Sequence, residues 1–313
     1  MKRFLRRIVC LTVLTCGLLL LWEAEVLAAP RSAQSGQSEY LAEPTAIALG
    51  NSTRKVRLST PLGPVNLRWA RSAEQLFGRS PERAVLDALA TVSKTLKRGG
   101  FPPAISSLSE TWDIVIMDEN LPEGQIPTNL VNRCHPAWMV PPAKIYVVAQ
   151  RISAGCSGAR KLDGRNPDLE LANVLIHELG HVVEYNLLKG GARPPAHDPI
   201  RAEGFATWWE TYAARSSTLV SSDVLTRRYK EQAQRTFAEG QSINAAAFQF
   251  SEGEYAASSL YFHAVADARG AFGIVDLYKL LLAGTPLVPA VRQLMGWDAN
   301  RLERILHDTA AKR

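Results

Sequence analysis

Residues 166–190 read NPDLELANVLIHELGHVVEYNLLKG, and their periodicity decides the fold. Ala172, Leu175, Ile176, Leu179, Val182, Val183 and Leu187 recur at helical spacing and form one apolar stripe, leaving His177, Glu178, His181 and Glu184 on another side. Asn166 suits the N-cap, Pro167 the first turn, and Asp168 and Glu170 the positive end of the dipole, while Gly190 marks the stop. Side chains four apart lie on one helix face, so His177 and His181 present two imidazoles to a single point, with the Glu178 carboxylate beside them. That is the pattern of a two-histidine metal site with a built-in proton acceptor. Gly180 in the helix interior costs about 1 kcal/mol relative to alanine, which predicts that another segment crosses closely at that point.

Two imidazoles are an incomplete site. A catalytic zinc ion takes three protein ligands and keeps a fourth position open, so a third ligand is expected elsewhere. Had the chain continued with a glycine and a third histidine just after the motif, that histidine would serve; Glu184 and Leu187 stand there instead. Downstream, Asp198-Pro199 forms a capped helix start, and Glu203 follows within Arg201-Ala202-Glu203-Gly204-Phe205-Ala206-Thr207-Trp208-Trp209-Glu210. A carboxylate on a second, antiparallel helix completes a His177, His181, Glu203 set for Zn2+. Thr207 and Glu210 lie on the Glu203 face and are candidates to hold the second nitrogen of a ligating histidine. His135, His197 and His307 have no such spacing; His197 beside Asp198 reads as a loop or capping residue.

The H-E-x-x-H segment together with the Glu203-Gly204-Phe205-Ala206 segment resembles the gluzincin superfamily of zinc metallopeptidases, and in particular its minimal secreted or membrane-associated members. The resemblance runs from about Val85 to His307 and takes in Glu254 to Phe262, Gly273 and Met295-Gly296-Trp297. It implies an α+β, zincin-like fold with a mixed-sheet N-terminal lobe, an active-site helix and an α-helical C-terminal lobe. It also implies hydrolysis of a peptide or protein substrate, with zinc activating water and Glu178 as general base. The strand just upstream of the metal helix in such enzymes is the sheet edge on which a substrate backbone lies, and Lys144 to Ala149 matches that place, with an ordinary interior strand as the alternative. Such enzymes take an oxyanion donor from the C-terminal lobe. Ser251 and Glu254 form a capping box that starts a helix, and Tyr255 in its first turn matches the donor position, with His263 and Tyr212 in reserve. The alternative is a binding or scaffold protein with a structural zinc on the same fold; Glu178 argues against it, since a purely structural site has no use for that carboxylate. No Gly-x-Met-Glu-Asn segment is present, which counts against an aminopeptidase of the long type.

The remainder of the chain supplies an address and a frame. Residues 1–28 carry Lys2, Arg3, Arg6 and Arg7, an apolar run from Ile8 to Trp22, and a small-residue end at Val26-Leu27-Ala28, the plan of a secretory signal peptide. The apolar run is shorter than the roughly 20 residues a spanning helix needs, so membrane association is expected only if the segment stays uncleaved. Thr15 before Cys16 argues against a lipid anchor there. An extracytoplasmic location, periplasmic or secreted, makes Cys134 and Cys156 a disulfide pair that closes a loop of roughly 20 residues for about 3 kcal/mol. Residues 29–52 read as a flexible leader, 53–192 as the α/β lobe with the metal helix, and 193–313 as the helical lobe. The net charge of +6 carries no basic run with interleaved aromatics, so no nucleic-acid partner is expected. Strands are expected on both sides of Pro61 to Pro64 and over Trp112 to Met117, and a helix over Pro81 to Lys97 capped by Ser80. Helices then fill Pro199 to Ala214, Ser222 to Glu239, Gly253 to Arg269, Gly273 to Leu282 and two short runs up to Ala311.

Overall fold

Alternating apolar residues on either side of a four-residue turn make a hairpin. In the computed structural model, β1 (Thr53–Thr60) and β2 (Gly63–Ala70) pair antiparallel, with Leu58 opposite Val65 and Val56 opposite Leu67. The turn needs Gly63, whose φ of 109° lies in the region that side chains avoid. Thr60 Oγ1 donates to the Gly63 carbonyl at 2.7 Å, and the Trp112 indole donates to the Leu62 carbonyl at 3.0 Å, tying the turn to the next strand. The structure describes residues 53–77, 80–99, 101, 111–117, 135–140, 142–154, 166–189, 198–239 and 248–311, all within one unit spanning Tyr40–Arg313.

Three further strands, β3 (Trp112–Met117), β4 (Ala137–Val140) and β5 (Lys144–Val148), complete a mixed five-stranded sheet in the order β1-β2-β3-β5-β4. β2, β3 and β5 run parallel, and β4 returns antiparallel to β5. This corrects one expectation. Lys144–Val148 is an interior strand, hydrogen-bonded on both sides, and the edge beside the metal helix is β4, a four-residue strand with no alternation of its own. Among the described residues, all five strands precede the helix Pro167–Leu188 and only helices follow it, so the fold is α+β.

The helices are α1 (Arg71–Phe77), α2 (Glu82–Arg98), α3 (Ala149–Ala154), α4 (Pro167–Leu188), α5 (Pro199–Ala214), α6 (Ser222–Ala238), α7 (Glu252–Leu282), α8 (Leu287–Met295) and α9 (Ala299–Ala311). Val85, Leu89, Val92 and Leu96 of α2 are fully buried in one core with Val65, Leu67, Ile114, Ile116, Ile145 and Val147 of the sheet. Each such side chain contributes about 1.5–3 kcal/mol by leaving water. The start of α2 departs from expectation: Pro81 occupies the cap and provides no side-chain bond, and Ser80 Oγ accepts from Glu82 N at 3.3 Å. The runs Gly253 to Arg269 and Gly273 to Leu282 are two helical segments within α7, separated as expected by a kink at Gly270, whose φ of 67° and ψ of −169° are non-helical. No helix among the described residues is long and apolar enough to cross a membrane. The first 52 residues, Cys134, Cys156, His197 and Gly190 lie outside the described residues, and with them the signal segment, the leader and the disulfide.

Candidate metal centre

α4 starts as its sequence directs, with Asn166 Oδ1 accepting from Leu169 N at 3.2 Å and Pro167 in the first turn. Its apolar stripe, Leu171, Ala172, Leu175, Ile176, Leu179, Val182 and Val183, is wholly inaccessible. The opposite side is not a solvated face, however: Glu178 and Glu184 are each 5 % exposed. The cause is α5, which lies across α4 at Gly180. A Cβ on Gly180 would sit 3.0 Å from Trp209 Cδ1 and 3.1 Å from Ala206 Cα, so the glycine allows the crossing that brings Glu203 over the two histidines. Asp198 caps α5 by accepting from Ile200 N at 3.0 Å, and Gly204 repeats the device against Ser258 of α7.

The crossing gathers one donor atom each from His177, His181 and Glu203, all within 4.8 Å of one another, a group able to hold a metal ion. His177 Nε2 and His181 Nε2 stand 3.4 and 3.5 Å from the same oxygen, Glu203 Oε2, and the three side chains are only 14–16 % exposed. The geometry fits zinc: a tetrahedral ion with bonds of about 2.0–2.1 Å has ligand atoms roughly 3.3–3.4 Å apart. His177 Nδ1 lies 3.2 Å from Glu210 Oε2. With Nδ1 held by a carboxylate, Nε2 is the nitrogen left for a metal ion. Glu210 is itself 1 % exposed and accepts from the Tyr229 hydroxyl at 2.9 Å on Oε1 and 2.8 Å on Oε2. Thr207 does not share that role; its buried Oγ1 has no hydrogen-bond partner among the described residues.

Electrostatics follow from this packing. Burial opposes the charged form of His177, but the hydrogen bonds of Glu203 and Glu210 and the charges of Glu210 and Glu178 outweigh it and raise its pKa from 6.5 to about 10. His181 moves the same way, with burial again overcome by Glu203 and Glu178. Burial likewise resists ionisation of Glu203, yet the two imidazoles hold it well below the usual carboxylate range. Glu178 goes up: burial dominates, and His181 and His177 only partly offset it. Its Oε2 is buried with no hydrogen-bond partner among the described residues. A cation at the His177, His181 and Glu203 atoms is the charge this acidic, histidine-rich cluster matches.

Tyr255 enters from α7. Its helix begins with the expected capping box, Ser251 Oγ accepting from Glu254 N at 3.2 Å and Glu254 Oε2 accepting from Ser251 N at 2.9 Å. The Tyr255 ring stacks on His177 at 6.0 Å and 11°, and its hydroxyl lies 3.5 Å from His135 Nδ1. His135, just before β4 and fixed by Arg151 Nη1 donating to its carbonyl at 2.9 Å, had no spacing signal to mark it. Tyr229 also escaped the sequence reading; the one clue is an aromatic residue within the polar run Thr226-Arg227-Arg228-Tyr229-Lys230-Glu231. The reserves lie elsewhere: Tyr212 stacks on Trp208 at 5.1 Å, and His263 Nε2 is 3.4 Å from Thr211 Oγ1. His307 packs on Phe237 at 4.6 Å.

No protein-family model matches the sequence, and no curated protein matches it. Among solved structures, the chain is similar to the M1 zinc metallopeptidase from Deinococcus radiodurans, with TM-score 0.46 and 17 % identity over 82 % of this chain and 51 % of that one. A mutant of that enzyme bound to a Tyr-Ser-Ala substrate gives TM-score 0.45 and 16 % identity over the same shares. A two-domain M1 zinc metallopeptidase mutant bound to L-tryptophan gives 0.44 and 16 %, again over 82 % and 51 %. The chain thus spans about half the length of the solved structures it matches.

Proposed function

We propose that this chain is a zinc-dependent metallopeptidase of gluzincin type that hydrolyses peptide bonds outside the cytoplasm. The observation that carries the reading is the convergence of His177 Nε2 and His181 Nε2 on Glu203 Oε2, at 3.4 and 3.5 Å, beside a buried Glu178 oxygen with no hydrogen-bond partner among the described residues. His177, His181 and Glu203 would hold the ion. Bound in a three-ligand site, zinc supplies Lewis acidity, polarising a carbonyl and lowering the pKa of water toward ~7. Glu178 is the proton acceptor for the attacking water; its raised pKa suits a group that must take up a proton and then release it to the leaving amine. The Tyr255 hydroxyl, on the ring stacked against His177, is the donor for the oxyanion that develops on the attacked carbonyl. The edge strand β4 offers backbone groups to an extended peptide.

Two lobes, 53–192 and 193–313, would close around the peptide with α4 at the seam. The signal-like first 28 residues support the address, and the single remaining cysteine pair, Cys134 and Cys156, is read as a disulfide.

Metal analysis of the purified chain, paired with a peptide-library hydrolysis assay, tests the reading. Near-stoichiometric zinc is expected in the parent and in Glu178→Gln, with hydrolysis only in the parent. A parent without zinc, or equal hydrolysis in the variant, sinks it. Glu203→Ala is expected to lose the zinc while keeping its helical circular dichroism; retained zinc means another residue is the third ligand. A thiol count on the denatured, unreduced chain lacking residues 1–28 should find none.

A further inference from the structure

α6 contributes no metal ligand and is largely a surface helix: Leu225, Gln232, Ala233 and Thr236 are its buried residues. One of its faces nevertheless reaches two elements of the site at once. Tyr229 donates its hydroxyl to both oxygens of Glu210, at 2.9 and 2.8 Å, and Glu210 Oε2 takes His177 Nδ1 at 3.2 Å. One residue earlier, Arg228 Nη2 bonds Glu252 Oε1 at 2.8 Å, and one turn on, Gln232 Nε2 bonds Glu252 Oε2. Glu252 opens α7, the helix that carries Tyr255 in its first turn.

We propose that Tyr229 is a positioning residue that fixes the His177 imidazole through Glu210, resting for its metal part on the peptidase reading above. The argument is geometric. A buried carboxylate with a single donor on one oxygen can swing about its terminal bond, and the ring it holds swings with it. The Tyr229 hydroxyl spans both Glu210 oxygens and pins that plane, so the carboxylate presents Oε2 to Nδ1 in one orientation. The ring is then held with Nε2 3.4 Å from Glu203 Oε2. The Arg228 and Gln232 bonds to Glu252 hold α6 itself in place, so the hydroxyl cannot retreat from Glu210 without breaking them.

Tyr229→Phe keeps the ring and removes only the hydroxyl. Competition with a chromophoric chelator should show zinc affinity weakened about 10–100-fold. In a Glu210→Gln background the same change should leave zinc affinity within about twofold, because the pathway is already cut. An equal loss in both backgrounds means that Tyr229 acts by packing alone and overturns the proposal, as does an unchanged affinity in the single variant. A second measurement needs no metal. In chain labelled with 15N-histidine and treated with chelator, the His177 Nδ1 proton should resonate as strongly hydrogen-bonded in the parent and move or broaden in Tyr229→Phe. A parent that takes up no zinc would sink the peptidase reading and leave that resonance to decide: a shift supports the positioning role and identical spectra overturn it.

Discussion

Glu178 and Glu184 sit on the same helix, six residues apart, and each is 5 % exposed. Their surroundings differ in the way that separates chemistry from architecture. Glu184 Oε1 accepts from Arg201 Nε at 2.8 Å and from the Tyr278 hydroxyl at 2.9 Å, so its charge is paired with a cation from α5 and a donor from α7. Glu178 has two imidazoles nearby and an oxygen with no hydrogen-bond donor among the described residues. A buried carboxylate paired with a cation on one neighbouring helix and a hydroxyl on another holds three helices together. One with an oxygen that has no partner among the described residues, beside three atoms able to hold a metal ion, is costly to the fold, and in the proposed peptidase its use is to take up a proton.

The sharpest way to break this contrast is to neutralise each carboxylate in turn. Glu178→Gln is expected to lower peptide hydrolysis by about 10²–10⁴-fold while leaving urea stability equal or slightly higher. Glu184→Gln should do the reverse, with the unfolding midpoint falling and hydrolysis per folded molecule within a few-fold of the parent. Matching losses of activity in the two variants would erase the distinction. Next in size, Arg201→Met strips the cation from Glu184 and leaves a buried charge with one donor. Chemical denaturation should register a loss of about 3–5 kcal/mol, whereas a loss below about 1 kcal/mol would mean the pair is architecturally idle. Tyr278→Phe removes the hydroxyl donor to Glu184 and should cost about 1.5–3 kcal/mol in the same measurement. In the Arg201→Met background its cost should change, since both partners act on the same oxygen.

How far these roles were legible beforehand depends on whether the cause is local. The caps of α4 and α5, the β1–β2 turn and the capping box before Tyr255 are set by side chains bonding backbone within three residues, and all could be read from the sequence. The Gly180 crossing was legible for a related reason, since a glycine inside a strong helix calls for a close neighbour, and Trp209 and Ala206 supply it. What could not be read is what the third dimension brings together. β4 is four residues after a proline, too short to show a period, yet it takes the sheet edge expected of Lys144–Val148. α3 follows β5 without a break, so its apolar residues continue the strand's run. Glu184 fell on the side away from the apolar stripe, and the sequence held no sign that α5 and α7 bury it there. Tyr229 and His135 reach the site from elements with no spacing relation to α4.

The histidines carry the same contrast as the carboxylates and give the smallest prediction. His177, flanked by Glu203 and Glu210, is pushed up to about 10, whereas burial, with the charges of Lys230 and Arg215, pushes His263 down to about 3. His263 Nε2 lies 3.4 Å from Thr211 Oγ1, which offers no charge. Burial alone therefore does not set the direction; the carboxylates do. For His263 the unfolded chain binds the proton more readily than the folded one, so stability is full above pH 6.5 and is lost as pH falls from there toward about 3. The upper limit is about 1.4 kcal/mol per pH unit, and partial exposure of the ring reduces it. Comparing the parent with His263→Phe in urea at pH 7.5 and pH 5.0 should show the parent losing about 1 kcal/mol more than the variant on acidification. A gap between the two proteins that stays constant with pH would mean His263 is protonated in the folded chain, and that the absence of a carboxylate neighbour is not what separates it from His177.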